Sequence, residues 1–257
     1  MSDFVVIDTL EAWKRYEPKF LTARKIALDL EGDFMLHRYG YRICLLQAGF
    51  PDGEIYLIDT LKGFDLSSFK KILEDQAIEK VLWGASNDVR YLKFLLGCRP
   101  RGMIDLWEAA RLVIGPRVSL ALVIQQVLGY DIQKDPELQV SDWNLRPLSD
   151  DQKKYAAQDV RYLLAVWDKW KSTLETGTHA VPFHKRMQIL EGLEISQKEP
   201  WTRVKGWMTL TPSQQTHLKN LVEKRDQAAQ AQNLAPWRIE KNETLLEYAR
   251  TGHEWNP

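Results

Sequence analysis

The chain has 257 residues with an apolar share of 44%, enough to build one large domain, or a medium domain with a small appendage. No run of about eighteen apolar residues occurs. The start MSDFVVIDTLEAWKRYEPKF has neither a basic stretch nor a long apolar one, so no membrane span or secretion is expected and a cytoplasmic protein is the default. The 35 basic side chains are balanced by 35 acidic ones, and the two cysteines, Cys44 and Cys98, lack the spacing of a disulfide framework or a zinc site. A zero net charge argues against a long electrostatic grip on duplex nucleic acid.

In chain order, KIALDLEG, YRICLLQAGF and EIYLIDTL read as strands joined by turns, the third apolar enough to be central. DLSSFKKILEDQ has helical spacing, EKVLWGA is a short apolar strand, and SNDVRYLKFLLG is a helix with Ser86 as its expected N-cap and Gly97 at its end. From Ile104 to Leu128 the signal is helical with a break at Gly115 and Pro116, and the polar stretch DIQKDPELQVSDWNLRP reads as a long loop of the kind that often carries function. Ser149 and Gln152 form a capping box that opens a helix running to about Trp170. Past Gly177 only helical patterns continue. A second capping box, Thr211 and Gln214 with Pro212 between them, starts a long polar helix, and Asn242 is expected to cap the last one. This order predicts an α/β fold in which a mixed sheet is flanked by helices, followed by a small all-helical segment. The boundary is set at 180/181: an N-terminal catalytic domain over 1–180, then a helical linker and appendage over 181–257.

Asp29 and Glu31 are two apart on a strand, so their carboxylates share a face while Leu30 points to the other. Between Ile26, Leu28 and Leu30, adjacent carboxylates are disfavoured by repulsion and desolvation unless a cation is shared. Asp88 lies in the first turn of its helix, where an acid commonly partners the helix N-terminus. Tyr155 and Asp159 are four apart on one helix face. Together the four acids offer oxygen ligands for two hard cations such as Mg²⁺ or Mn²⁺, which can hold the attacking and leaving oxygens of an in-line displacement at phosphorus. With those four acids committed to ions, the 35 basic side chains face 31 acids, a surplus of +4 that suits a short contact with a strand end.

The segments IALDLEGDFMLHRYGYRICLLQ, LWGASNDVRYLKFLLG and SDWNLRPLSDDQKKYAAQDVRYLLAVW resemble, in this order and spacing, the three motifs of the DEDDy 3′→5′ exonuclease superfamily, most closely the ribonuclease D family. The resemblance covers about residues 4 to 176. It implies a ribonuclease H-like fold, metal ligands at Asp29, Glu31, Asp88 and Asp159, and a catalytic Tyr155. It also implies release of nucleoside 5′-monophosphates from RNA 3′ ends, transfer-RNA precursors among them, by a two-metal-ion mechanism. A DNA 3′→5′ exonuclease of the Werner type uses the same motifs, and an inactive nucleic-acid-binding scaffold would be expected to lack one of them. A phenol of pKa about 10 is on the order of 0.1% ionised at pH 7, which favours an orienting role for Tyr155 over that of a free base. Leu30, Gly32, His37, Tyr39, Asn87, Trp143 and Arg146 are the candidates for substrate contact, the aromatic ones by stacking and Arg146 by its match to phosphate geometry. From Trp201 onward the chain resembles the first half of the helicase-and-ribonuclease-D C-terminal (HRDC) module, with Trp201, Trp207 and Trp237 expected as packing anchors.

Overall fold

The computed structural model describes residues 4–195 and 199–256, which divide into two compact units. The first comprises residues up to Gly32 together with Ile43–Ile195. It begins with β1 (Val5–Ile7) and α1 (Leu10–Thr22), then β2 (Lys25–Phe34), β3 (Tyr41–Gly49), β4 (Ile55–Asp59), α2 (Ser67–Glu74) and β5 (Glu79–Leu82). There follow α3 (Ser86–Leu96), β6 (Met103–Asp105), α4 (Leu106–Val113), α5 (Leu120–Leu128), α6 (Pro136–Gln139), α7 (Asp150–Arg161), α8 (Leu163–Thr176) and α9 (Ala180–Glu191). The strands form one mixed sheet in the order β1-β4-β3-β2-β5-β6, with β3 and β4 antiparallel and the pairs β1–β4, β2–β5 and β5–β6 parallel. This is the expected mixed sheet with flanking helices. Every residue of β4 is buried, as its apolar sequence requires of a strand paired on both sides.

On one side an aromatic cluster closes the core: Phe20 of α1 lies 4.9 Å from Phe50, 5.4 Å from Tyr56 and 6.2 Å from Phe69, measured between ring centroids. On the other, α7 comes close to β3. A Cβ at Gly49 would sit 3.2 Å from the Val160 carbonyl oxygen and 3.4 Å from the Ala27 Cβ, so the close approach of helix and sheet rests on the missing side chain.

The second unit holds residues 33–42, the tip between β2 and β3, together with the chain from residue 196 on, described from Glu199. Two 3₁₀ turns, Pro200–Arg203 and Trp207–Thr209, lead to α10 (Pro212–Gln232), α11 (Pro236–Ile239) and α12 (Asn242–Thr251). Val204, Leu218, Leu221, Val222 and Leu245 form its core, with Trp201 and Trp207 packed against it and edge to face with each other at 5.0 Å. The tip is tied in by the Tyr39 hydroxyl, which donates to Asp226 (2.7 Å), and by the Trp237 indole N–H, which donates to the Leu36 carbonyl (3.0 Å). Trp237 is therefore not the buried anchor expected: it is half exposed and works through its polar edge.

Local expectations divide in an instructive way. Both capping boxes form. Ser86 and Asn242 do not cap: Ala85 and Lys241 hold those positions, and Asn242 instead accepts from Arg225 (2.8 Å). Ile104 is a strand residue rather than the start of a helix, β1 and α1 precede the first expected strand, and the long loop contains the single turn α6. The contacts break at 195/196 rather than 180/181, because α9 packs on α8 and β6, with Phe183 stacked on Trp167 at 5.8 Å. Among the described residues no helix is long and apolar enough to cross a membrane.

Candidate active site

The alternation of β2 buries Leu28 and Leu30 on one face and presents Asp29 and Glu31 on the other. On that second face α7 brings Asp159, held 5% exposed, and Tyr155, 8% exposed, one helical turn apart. A carboxylate oxygen from each of Asp29, Glu31 and Asp159 can be chosen so that all three lie within 4.8 Å of one another. Asp88 stands outside that triplet in the first turn of α3, near enough that its charge pushes up the carboxyls of both Asp29 and Glu31. The charge of Asp159 acts directly on the Tyr155 phenol and disfavours its ionisation.

Burial and mutual repulsion shape the acidity here. Desolvation, then the charges of Asp159 and Asp88, hold Asp29 well above the usual carboxylate range and push Glu31 up to about 9. Asp88 is raised to about 7 by burial and by the charge of Asp105. Burial and the neighbouring acids also drive the Tyr155 phenol upward, away from ionisation. Carboxylates so crowded and at least half-buried, each disfavouring the charge of the next, form a stable arrangement once cations neutralise them. The donors are all carboxylate oxygens, the set suited to Mg²⁺-like or Ca²⁺-like ions rather than to zinc or copper, so the residues fit hard divalent cations.

Two residues that sequence reading overlooked support this cluster. Asp105, fully buried at the end of β6, accepts from the backbone N–H groups of Gly84 (2.8 Å), Ala85 (3.0 Å) and Trp107 (2.9 Å). It thereby fixes the turn that launches α3 and caps α4, the work expected of Ser86. Its signal was available: an Asp directly ahead of a helical pattern is an N-cap. The other is Lys134, whose ammonium lies 2.7 Å from Asp159. It sits in the polar stretch marked as functional, but no spacing rule links a loop lysine to an acid on a later helix.

The expected substrate contacts fare differently from the acids. Trp143 is 1% exposed and packs 6.2 Å from the Tyr155 ring, so it is a wall of the site rather than a stacking platform. Arg146 donates to both oxygens of Asp59 (2.6 and 2.7 Å) and to the carbonyls of Cys44, Trp143 and Leu145. Those bonds engage its guanidinium within the protein. Leu30 is buried, Gly32 follows Glu31 on β2, and Asn87 is exposed with its side-chain oxygen accepting from Arg90 (3.2 Å). His37 and Tyr39 belong to the second unit.

The fold and donor set define a class: an α/β domain carrying an all-carboxylate cluster of the kind that suits divalent ions. Residues 4–175 match the 3′-5′ exonuclease family, and the chain belongs to it. The match ends at residue 175 and lends no support to the expected HRDC resemblance of the C-terminal segment. Ribonuclease D of Bartonella henselae is 27% identical over 212 residues, covering 81% of this chain and 52% of that protein. Exosome complex exonuclease RRP6 of Saccharomyces cerevisiae is 26% identical over 241 residues, covering 86% of this chain and 32% of that protein. The crystal structure of Escherichia coli RNase D, an exoribonuclease involved in structured RNA processing, matches with a TM-score of 0.75 at 26% identity, covering 96% of this chain and 66% of that one. The chain thus spans about half the length of the ribonuclease D relative and about a third of the RRP6 one. The family uses divalent metals, in keeping with the acidic cluster.

Proposed function

We propose that this chain is a metal-dependent 3′→5′ exoribonuclease that releases nucleoside 5′-monophosphates one at a time from RNA 3′ ends, with structured RNAs such as transfer-RNA precursors as substrates. The observation that carries the reading is the convergence of Asp29, Glu31 and Asp159 within 4.8 Å, with Tyr155 one turn from Asp159 on the same helix. RNA is favoured over DNA because the similar proteins carry ribonuclease names. Asp29, Glu31, Asp88 and Asp159 would hold two ions, Mg²⁺ or Mn²⁺. When bound, such ions supply the positive charge that steadies the attacking and leaving oxygens during displacement at phosphorus.

The chain's own groups then do the positioning. Tyr155 keeps its proton beside the acids, and its hydroxyl, able both to donate and to accept, would hold a water and aim it. Trp143 backs the phenol and keeps it from swinging. A phenol pushed still further from ionisation serves as an orienting group and not as a base.

Matched 5′-labelled RNA and DNA oligonucleotides with free or blocked 3′ ends, incubated with Mg²⁺, Mn²⁺ or EDTA, test the reading. Metal-dependent ladders from free RNA ends that disappear in Asp29→Asn and Asp159→Ala support it. Shortening that persists in those variants refutes the site, and a preference for DNA refutes the substrate.

A further inference from the structure

Lys134 is not a loose surface lysine. It sits between two fixed points: the Gln158 side chain on α7 donates to the carbonyl of Gln133 (2.9 Å), and Asp135 caps α6 through the Glu137 N–H (2.9 Å). From there its ammonium reaches Asp159 at 2.7 Å and lies 5.8 Å from the centroid of the Tyr155 ring. Its charge acts on Asp29, Glu31 and Asp159 alike, favouring the ionised carboxylates that burial disfavours. Its side chain is 34% exposed, so it has room to turn outward.

A monovalent ammonium and a divalent ion compete for the same carboxylate oxygen, and the divalent ion wins by charge. Charge balance then indicates where the ammonium goes. Four carboxylates are neutralised by two divalent ions, which leaves one basic side chain for the single negative charge of a phosphodiester. Resting on the two-ion reading above, we propose that Lys134 is an exchanging counter-ion: it pairs with Asp159 when no divalent ion is bound, and passes to the substrate phosphate when the ions enter. It is a positioning residue in the first state and a phosphate-binding residue in the second.

The test compares full-length wild type, Lys134→Met and Lys134→Arg, with Asp159→Asn as a control. Thermal unfolding is followed in EDTA and in saturating Mn²⁺, Mn²⁺ binding by calorimetry, and binding of a single-stranded oligoribonucleotide by fluorescence anisotropy in Ca²⁺. Lys134→Met should melt about 2 °C below wild type in EDTA and level with it in Mn²⁺. It should bind Mn²⁺ roughly fivefold more tightly and the oligoribonucleotide roughly fivefold more weakly, with Lys134→Arg close to wild type in both. A melting difference that persists in Mn²⁺, or Mn²⁺ binding unchanged or weakened by Lys134→Met, overturns the exchange and leaves the ion site standing. Wild type that binds no Mn²⁺, or binds it as well as Asp159→Asn does, overturns the ion site and the exchange together.

Discussion

At the scale of single residues, the site is a set of acids whose charges are mutually unfavourable. Glu31 at about 9 and Asp88 at about 7 lie above the values of 4.5 and 3.8 for the free side chains, so the fold holds protons that the unfolded chain releases. That contribution to stability is complete below the ordinary carboxylate range and is lost as pH rises through about 7 for Asp88 and about 9 for Glu31. In EDTA, therefore, the melting temperature falls as pH is raised from 6 to 9. Divalent ions displace the same protons, so the rise in melting temperature on adding Mn²⁺ grows over that range. Thermal scans at several pH values check both signs, and an increment that shrinks with pH contradicts the assignment. On the proposed mechanism Tyr155→Phe removes the oxygen that would aim the water but no ion ligand. Single-turnover rates should drop roughly 100-fold, with Mn²⁺ affinity within about twofold of wild type. An undiminished rate takes the phenol out of the mechanism.

At the scale of elements, β2, α3 and α7 carry the acids, and their placement depends on residues that never touch a substrate. Asp105 is the clearest case. Asp105→Ala leaves the Gly84, Ala85 and Trp107 N–H groups without their acceptor in a buried corner, a loss of about 3 kcal/mol by denaturant unfolding. Because Asp88 begins the helix that this turn launches, Mn²⁺ affinity should weaken as well; unchanged stability and affinity would show that the turn holds itself. The acids were legible in the sequence because strand alternation and the i, i+4 helix spacing translate directly into shared faces, as Asp29 with Glu31 and Tyr155 with Asp159 demonstrate. Capping boxes were legible for the same local reason. Lys134, the internal use of Arg146 and the hold of Asp105 on the Gly84–Ala85 turn were not, because each acts on a partner far away in sequence, whereas the capping of α4 by Asp105 was a local signal that could have been read. Trp143 misled in another way, since an aromatic in a polar loop reads as available for stacking until the fold buries it.

At the scale of the whole molecule, charge decides how a polyanion is met. With 35 basic and 35 acidic residues there is no net positive charge to draw in nucleic acid from a distance, and on the proposed function affinity would come from local contacts at a strand end. Binding of a single-stranded oligoribonucleotide in Ca²⁺ should depend weakly on salt, with a log–log slope smaller in magnitude than about 3. A slope near 6 would reveal a long phosphate-tracking surface. The second unit carries its own small core, so its contribution is measurable as a separate melting event or as its absence.

The glycine of β3 at position 49 extends the argument to the choice of ion. Where one hydrogen sets the distance between two layers, any bulkier residue works as a shim, lifting the helix that bears Asp159 by a few tenths of an ångström. Magnesium, which demands near-ideal short bonds, would feel such a lift far more than calcium, which accepts longer and looser ones. Ion preference in this protein can thus be retuned from beneath the site, with every acid left in place.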